Sequence, residues 1–200
     1  MLIEALVRYY DILAKKGEML PEGYSKVGVD YLAVISADGE LVDIVDYSIR
    51  ETIVDSKGKV KEKSIKRNII LPRRTEKTGI EANIIEHRPK YLFGLNALID
   101  KESKEMYLSP NDDTNKARKS YKAFVDKNLV FLDGLDSPIV NAFRNFALNW
   151  NPDEQTTNKY LLRIGKKIET SSFAFCLEGH PEILLHEDET IKNKWDDIIS

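Results

Sequence analysis

The 200-residue chain has a single cysteine, Cys176, and three scattered histidines, His87, His180 and His186. One thiol excludes an intrachain disulfide and any zinc site built from several cysteines, and it matches the usage of a reducing cytoplasm. The histidines form no HxH, HxxxH or HExxH spacing, so the converging ligands of a metal centre are not set up in sequence. Long apolar runs are missing as well, and nothing approaches the ~20 residues of a membrane span. The opening MLIEALVRYYDILAKKG is interrupted by Glu4, Arg8 and Asp11. It lacks the basic start, apolar stretch and small-residue site of a secretory signal. There is no GxSxG elbow, and Gly165-Lys166-Lys167 lacks the earlier glycine of a phosphate loop. Cys176 falls in an apolar strand pattern, where a thiol is inert. Glu187-Asp188-Glu189 follows His186, but acids at a helix start complement the helix dipole, which accounts for them. No catalytic constellation assembles. The expectation is a non-enzymatic protein with no cofactor and no metal.

What is present is a soluble globular composition, with 42% hydrophobic and 32% charged residues. Its length suits one domain or two small lobes. The charge is unevenly placed. Between Lys57 and Lys77 nine Lys or Arg stand against Glu62 and Glu76, a net of +7, which leaves −10 on the remainder of a chain whose total is −3. Positive charge gathered in one segment of an acidic protein is suited to meeting a polyanion at one place, because counterion release acts locally.

Leu2, Ile3, Leu6, Tyr9, Tyr10 and Leu13 recur at helical spacing and predict an opening helix ending near Gly17. Pro21 and Gly23 make a turn. Residues 31–36 and 41–46 read as a hairpin across Ala37-Asp38-Gly39-Glu40, since Asp-Gly tolerates the positive φ of tight turns. A second hairpin is predicted from about Thr52 to Leu71 across Ser56-Lys57-Gly58-Lys59, with a returning strand from Lys63 that Pro72 stops. Tyr91, Phe93 and Leu95 alternate as in a buried strand. Beyond residue 113 the pattern turns helical: 114–132, then a helix capped by Ser137 with Pro138 in its first turn and Ile139, Val140, Phe143, Phe146 and Trp150 on its inner face. A further helix runs from the cap at Asn151-Pro152 to about Ile164. A hairpin joins 172–177 to 182–185, and a last helix spans 188–199 without a stop signal, which reads as a piece of a longer chain. The expected fold class is α+β: an α+β lobe over 1–110, with a helix, antiparallel hairpins and the basic hairpin, then a mainly helical lobe over 111–200 with a short hairpin.

Each candidate binding residue has a plainer reading beside the functional one. A lysine-rich strand is also what a sheet edge uses against aggregation. Arg73-Arg74-Thr75, just past a strand end, offers rigid guanidinium forks and a hydroxyl to a phosphate or base, or a salt bridge to Glu76. Gly79 permits a turn or a close backbone approach, and Asn83 suits either a base edge or a turn. Trp150 and Trp195 sit in helical stripes and read as core.

Taken in order, EALVRYYDILAKKG, PEGY, ADGELVDIVD, LPRRTEKTGIEAN, KYLFG, KAFVDKNLVFLDGLDSPIVNAFRNFALNWNPDE and FAFCLEGHPEILLHEDETIKNKW resemble the N-terminal region of the large subunit of the type I-C CRISPR–Cas interference complex, Cascade. The likeness covers essentially the whole chain and departs at Ile84-Ile85-Glu86-His87, where that family tends to carry aromatic and Asp-Asn residues. The resemblance implies an antiviral-defence protein of the cytoplasm, the N-terminal part of a longer subunit, with no membrane contact. It implies recognition of the protospacer-adjacent motif on double-stranded target DNA and the start of R-loop formation. Its partners would be guide RNA, other Cascade subunits and a recruited helicase-nuclease that does the cutting. Protein would read the short duplex motif and base pairing the rest. With the charge pattern, this makes Lys57, Lys59, Lys61 and Lys63 candidates for phosphates, and Arg73, Arg74, Thr75, Lys77 and Asn83 candidates nearer the motif. The rival readings are a structural module docking guide RNA or another subunit, and a nuclease.

Overall fold

The structure, a computed structural model, describes residues 20–75, 78–113 and 116–200. The expected opening helix, Glu76, Lys77 and Thr114 lie outside these residues.

Ten strands and five α-helices are described. The order is β1 (Tyr24–Val29), β2 (Tyr31–Ile35), β3 (Leu41–Asp46), β4 (Ile49–Val54), β5 (Val60–Ile65), β6 (Arg67–Pro72), α1 (Pro89–Phe93), β7 (Asn96–Ile99), β8 (Met106–Ser109), α2 (Ala117–Leu132), α3 (Pro138–Asn149), α4 (Lys159–Ile164), β9 (Phe173–Leu177), β10 (His180–Leu184) and α5 (Glu189–Ile199). The fold is α+β. A four-stranded sheet runs β10-β9-β2-β3, and β1–β6, β4–β5 and β7–β8 form two-stranded ribbons.

The predicted β2–β3 hairpin forms across Asp38-Gly39. Its neighbour β9 comes from the far half of the chain and pairs with β2 in parallel, Leu32 opposite Ala174. The two expected lobes therefore share one sheet. α3 covers that sheet because Phe143 and Phe146 point inward at helical spacing and meet Phe175 at ring distances of 4.9 and 5.4 Å. Phe93 of α1 packs edge-on to Phe173 at 5.1 Å, so one aromatic core joins both halves.

Ser137 caps α3 as expected, accepting from the Val140 N–H. Asp188 caps α5 through Thr190 and Ile191 N–H. Cys176 is free and buried in β9, where burial pushes its thiol up to about 11.

Three elements differ from the sequence expectation. The second hairpin is shorter and ends at Ile65. Lys66 leaves the ladder to pair with Asp30 at 3.0 Å, and β6 then pairs with β1, where Ile69 and Leu71 reach the core. Residues 89–93 are a helix rather than a strand. Pro89 starts it, Gly94 stops it at φ +63°, and the consecutive buried Tyr91, Leu92 and Phe93 mimic a period of two only when Leu92 is overlooked. The helix expected after Asn151 breaks into a 3-10 turn at Pro152–Glu154 and α4, which has its own cap, Asn158.

Gly39 carries the tightest approach in the fold. Its φ is +85°, and an added Cβ would lie 2.2 Å from the Phe146 nitrogen, because Asn145 and Asn149 of α3 hold the turn by its Ala37 and Asp38 carbonyls. Left-handed strain contributes about 1–2 kcal/mol and overpacking about 1–3 kcal/mol, so Gly39→Ala should destabilise by about 2–5 kcal/mol in urea titrations. Gly58 has φ +75° with open space around it, and Gly58→Ala should lose only the ~1–2 kcal/mol conformational part. Equal losses at the two sites would contradict the docking of this turn on α3.

Candidate nucleic-acid interface

The β4–β5 ribbon stands apart from the core. Every residue of both strands is exposed except Ile65. Strand alternation sends side chains two residues apart to one face, so Lys61 and Lys63 line one side of β5 and Val60, Glu62 and Ser64 the other, with Lys59 at the turn just before the strand. Across the ladder, Lys61 faces Ile53 and Lys63 faces Glu51.

Lys57 and Lys59 flank Gly58 at the tip. Asp55 builds that turn by accepting from the Lys57 and Lys59 N–H groups at 2.9 and 3.0 Å, and these bonds, with the Lys61 ammonium 3.1 Å away, hold its carboxyl below the usual range. At the foot, the Arg67 guanidinium lies 4.5 Å from the Tyr47 ring centre and donates to the Tyr47 carbonyl. The arm is thus exposed at its tip and pinned at its base. A groove of about 750 Å³ opens beside that base, between β6 and α5. Its lining mixes Arg67 and Lys192 with Glu187, Glu189 and Asp196, so it is no continuous track for a polyanion.

The second group of candidates sits at the other end of β6. Arg73 is exposed, and its N–H is fixed to the Gly23 carbonyl at 2.8 Å. Arg74 turns inward. Its Nε donates to the Pro72 carbonyl at 2.7 Å, Nη1 to Ile85 at 2.8 Å and Nη2 to Ile84. Burial lowers its pKa to about 10, which leaves it charged near neutrality. Asn83 is buried, and its Oδ1 accepts from both the N–H and the hydroxyl of Thr75, at 2.9 and 3.2 Å. Arg74, Thr75 and Asn83 are therefore brought together, as holders of the loop. The four hairpin lysines lie in a separate place, at the opposite end of β5 and β6 from Arg73.

The profile of the family described as CRISPR-associated protein (Cas_Csd1) matches residues 6–200. The chain belongs to the Csd1 family. No curated protein matches it.

Sequence reading of this Csd1 chain missed two residues that organise the loop. Glu86 has no exposed side-chain surface. It accepts from the Asn83, His87 and Arg88 N–H groups and takes the Arg88 guanidinium in a two-point pair at 2.9 and 2.8 Å. Burial alone would raise its pKa; the Arg88 pair and these bonds outweigh it, and the net direction is down. Asn128 of α2 donates to the Asn83 carbonyl and accepts from the Ile85 N–H at 2.8 Å. Ile85 holds φ +52°, a left-handed value that costs ~1–3 kcal/mol for a branched residue. Asn128 and Arg74 clamp it from both sides. Glu86-x-Arg88 carried no motif signal, and Asn128 sits mid-helix 43 residues from Ile85, so only the folded chain joins them.

Burial keeps His87 neutral, with its pKa lowered to about 4. Among the described residues no group of three His, Cys, Asp or Glu is placed to hold a metal ion, and no helix is long and apolar enough to cross a membrane.

Proposed function

We propose that this Csd1 chain binds double-stranded target DNA within a type I-C Cascade, reads the protospacer-adjacent motif and starts R-loop formation, leaving cleavage to a recruited helicase-nuclease. The observation that carries the reading is Lys61 and Lys63 on one face of an exposed ribbon, with Lys57 and Lys59 at its tip. Alternate residues of a strand advance about 6.8 Å, and each DNA strand presents a phosphate every ~3.4 Å of axis. A ribbon laid along the duplex can therefore set one ammonium against every second phosphate. Lysines on an exposed arm track backbone charge; they do not read bases.

The motif reader in this proposal is Arg73. Its backbone is anchored on Gly23 and on a loop held by Arg74, Thr75, Asn83 and Glu86, while its side chain is exposed. Fixing the loop beforehand lowers the ordering cost of placing a guanidinium in a groove. Lys77, four residues on, remains a candidate for the same contact. A second reading has one observation in its favour: Val54 and Val60, paired on the face away from Lys61 and Lys63, are 67 and 69% exposed, a surface that another Cascade subunit or protein-bound guide RNA could cover.

A paired titration separates the two. In the assembled complex, Arg73→Ala should weaken duplex carrying the motif by about 5–150-fold, the range of a lost base contact worth 1–3 kcal/mol, and motif-less duplex much less. An equal loss on both duplexes would make Arg73 a backbone contact. No loss on either would favour the docking module.

A further inference from the structure

Among the described residues β6 pairs with β1 alone, which leaves its other edge open. The Arg73 N–H bond to the Gly23 carbonyl sets the phase of that ladder. Leu71 opposite Ser25 and Ile69 opposite Val27 continue it in register. Backbone groups alternate in direction along an antiparallel strand. Ile69 and Leu71 therefore bond β1, while the N–H and C=O groups of Asn68 and Ile70 point away from it. These outward groups have no partner among the described residues.

The groove of about 750 Å³ between β6 and α5 lies along that edge. Arg67, Asn68, Ile69 and Ile70 all line it. Consecutive strand residues point to opposite faces, so a space that meets all of them runs beside the strand rather than over one face. Ile49 and Ile191 extend its apolar wall, and Ile70 is 45% exposed.

Folded proteins guard an open edge with charge, proline or a covering element. Two other outer edges of this fold are guarded. Arg163 donates to the outward Ile44 carbonyl of β3, and β10 carries Pro181 beside a break in register. The guards of β6 stand at its ends: Pro72, whose carbonyl takes the Arg74 Nε, and Lys66, paired with Asp30. Asn68 and Ile70 between them carry no charge. Cover by an extended chain would supply the missing backbone partners. The far wall of the groove selects the kind of chain. Glu189 is paired with Lys192 at 3.1 Å, and the Arg67 guanidinium is held on Tyr47. Glu187 is exposed with no ion-pair partner among the described residues, and Asp196 takes the Tyr24 hydroxyl at 2.7 Å. Carboxylates beside the edge repel a nucleic acid and attract lysine or arginine.

We infer that this groove takes an extended peptide segment of another protein subunit, added to β6 as a strand. Its apolar side chains lie toward Ile49, Ile70 and Ile191, and a lysine or arginine faces Glu187 and Asp196. This docking rests on the chain's proposed place in a Cascade and not on duplex binding by the arm.

Hydrogen exchange resolved to single residues, compared between the chain alone and the chain assembled with the other Cascade subunits, tests it. Alone, the Asn68 and Ile70 amides should exchange faster than those of Ile69 and Leu71, and assembly should slow them by about tenfold or more. Ile70→Pro deletes an outward N–H, which an edge strand tolerates, and Glu187→Lys reverses the charge of the far wall. Each should weaken assembly by about fivefold or more, the effect of a lost hydrogen bond or a reversed charge. Duplex binding by the chain alone should stay the same in both. The variant lacking Lys57, Lys59, Lys61 and Lys63 should do the converse, losing duplex and keeping both amides protected on assembly, so failure of the groove and failure of the arm are read separately. Should Ile70→Pro unfold in thermal melts, exchange in the parent and assembly of Glu187→Lys decide. Assembly that leaves both amides fast would overturn the inference. So would protection on concentrating the chain alone, which names a second copy, or on adding dT10 or U10, which names a nucleic acid. A parent chain that does not assemble would overturn it together with the Cascade reading.

Discussion

Alanine at Lys57, Lys59, Lys61 and Lys63 together is expected to lower duplex affinity on the order of a thousandfold at 0.1 M salt. Each phosphate contact contributes about 0.9 to the slope of log K against log salt, so removing four reduces the slope by about 3.6. The loss should be the same for every DNA sequence, because phosphates carry no sequence information. The fold should be untouched. The four side chains are exposed, and the ion pair found for them among the described residues, Lys61 with Asp55, lies at the surface, where such pairs are worth about 0–1 kcal/mol. Salt titrations of the variant and the parent, with thermal melts as control, check this. A slope that stays the same would remove the arm from the interface.

The largest effect on stability is expected at Glu86. Glu86→Ala leaves three backbone N–H groups without an acceptor and strips Arg88 of its partner. Breaking a buried pair by removing one member costs about 3–5 kcal/mol, and denaturant midpoints should report a loss of that order. Glu86→Gln keeps the shape and part of the acceptor function and should lose less. The pH dependence gives an independent reading. The folded pKa of Glu86 is lowered, so its stabilisation is present above the unfolded value of about 4.3 and disappears as pH falls through the folded one. The stability gap between the parent and Glu86→Gln should accordingly shrink below about pH 4. A gap that widens on acidification, or a Glu86→Ala loss under ~1 kcal/mol, would contradict the role of this carboxylate as the centre of the loop.

The two effects fall in different places because they rest on different physics. The arm acts through charge exposed to solvent, and the loop through groups removed from it. A variant at Glu86 should therefore reach DNA only indirectly, by loosening the anchor of Arg73, whereas a lysine variant should leave the melting curve alone.

The sequence by itself determined whatever depends on neighbours in the chain. Asp38-Gly39 and Ser56-Lys57-Gly58-Lys59 are turns because local φ requirements name their residues. Ser137-Pro138 starts α3 because its cap bond spans three residues. Lys61 and Lys63 share a face because strand side chains alternate. The pattern of residues 52–71 nevertheless gave one hairpin where there are two ribbons, since nothing local says that β6 prefers β1 to β4. That choice belongs to the core, which buries Ile69 and Leu71 beside Val27 and Val29. The parallel pairing of β2 with β9 likewise joins residues about 140 apart, a contact that no local pattern announces. The candidate site divides the same way. Its lysines were legible as a charge run and stayed exposed. Arg74, Thr75 and Asn83 looked equally available in sequence, and only the tertiary structure turned them inward. A guanidinium and an amide can satisfy several backbone groups at once, and the left-handed Ile85 with its buried carbonyls and N–H groups had to be satisfied from within.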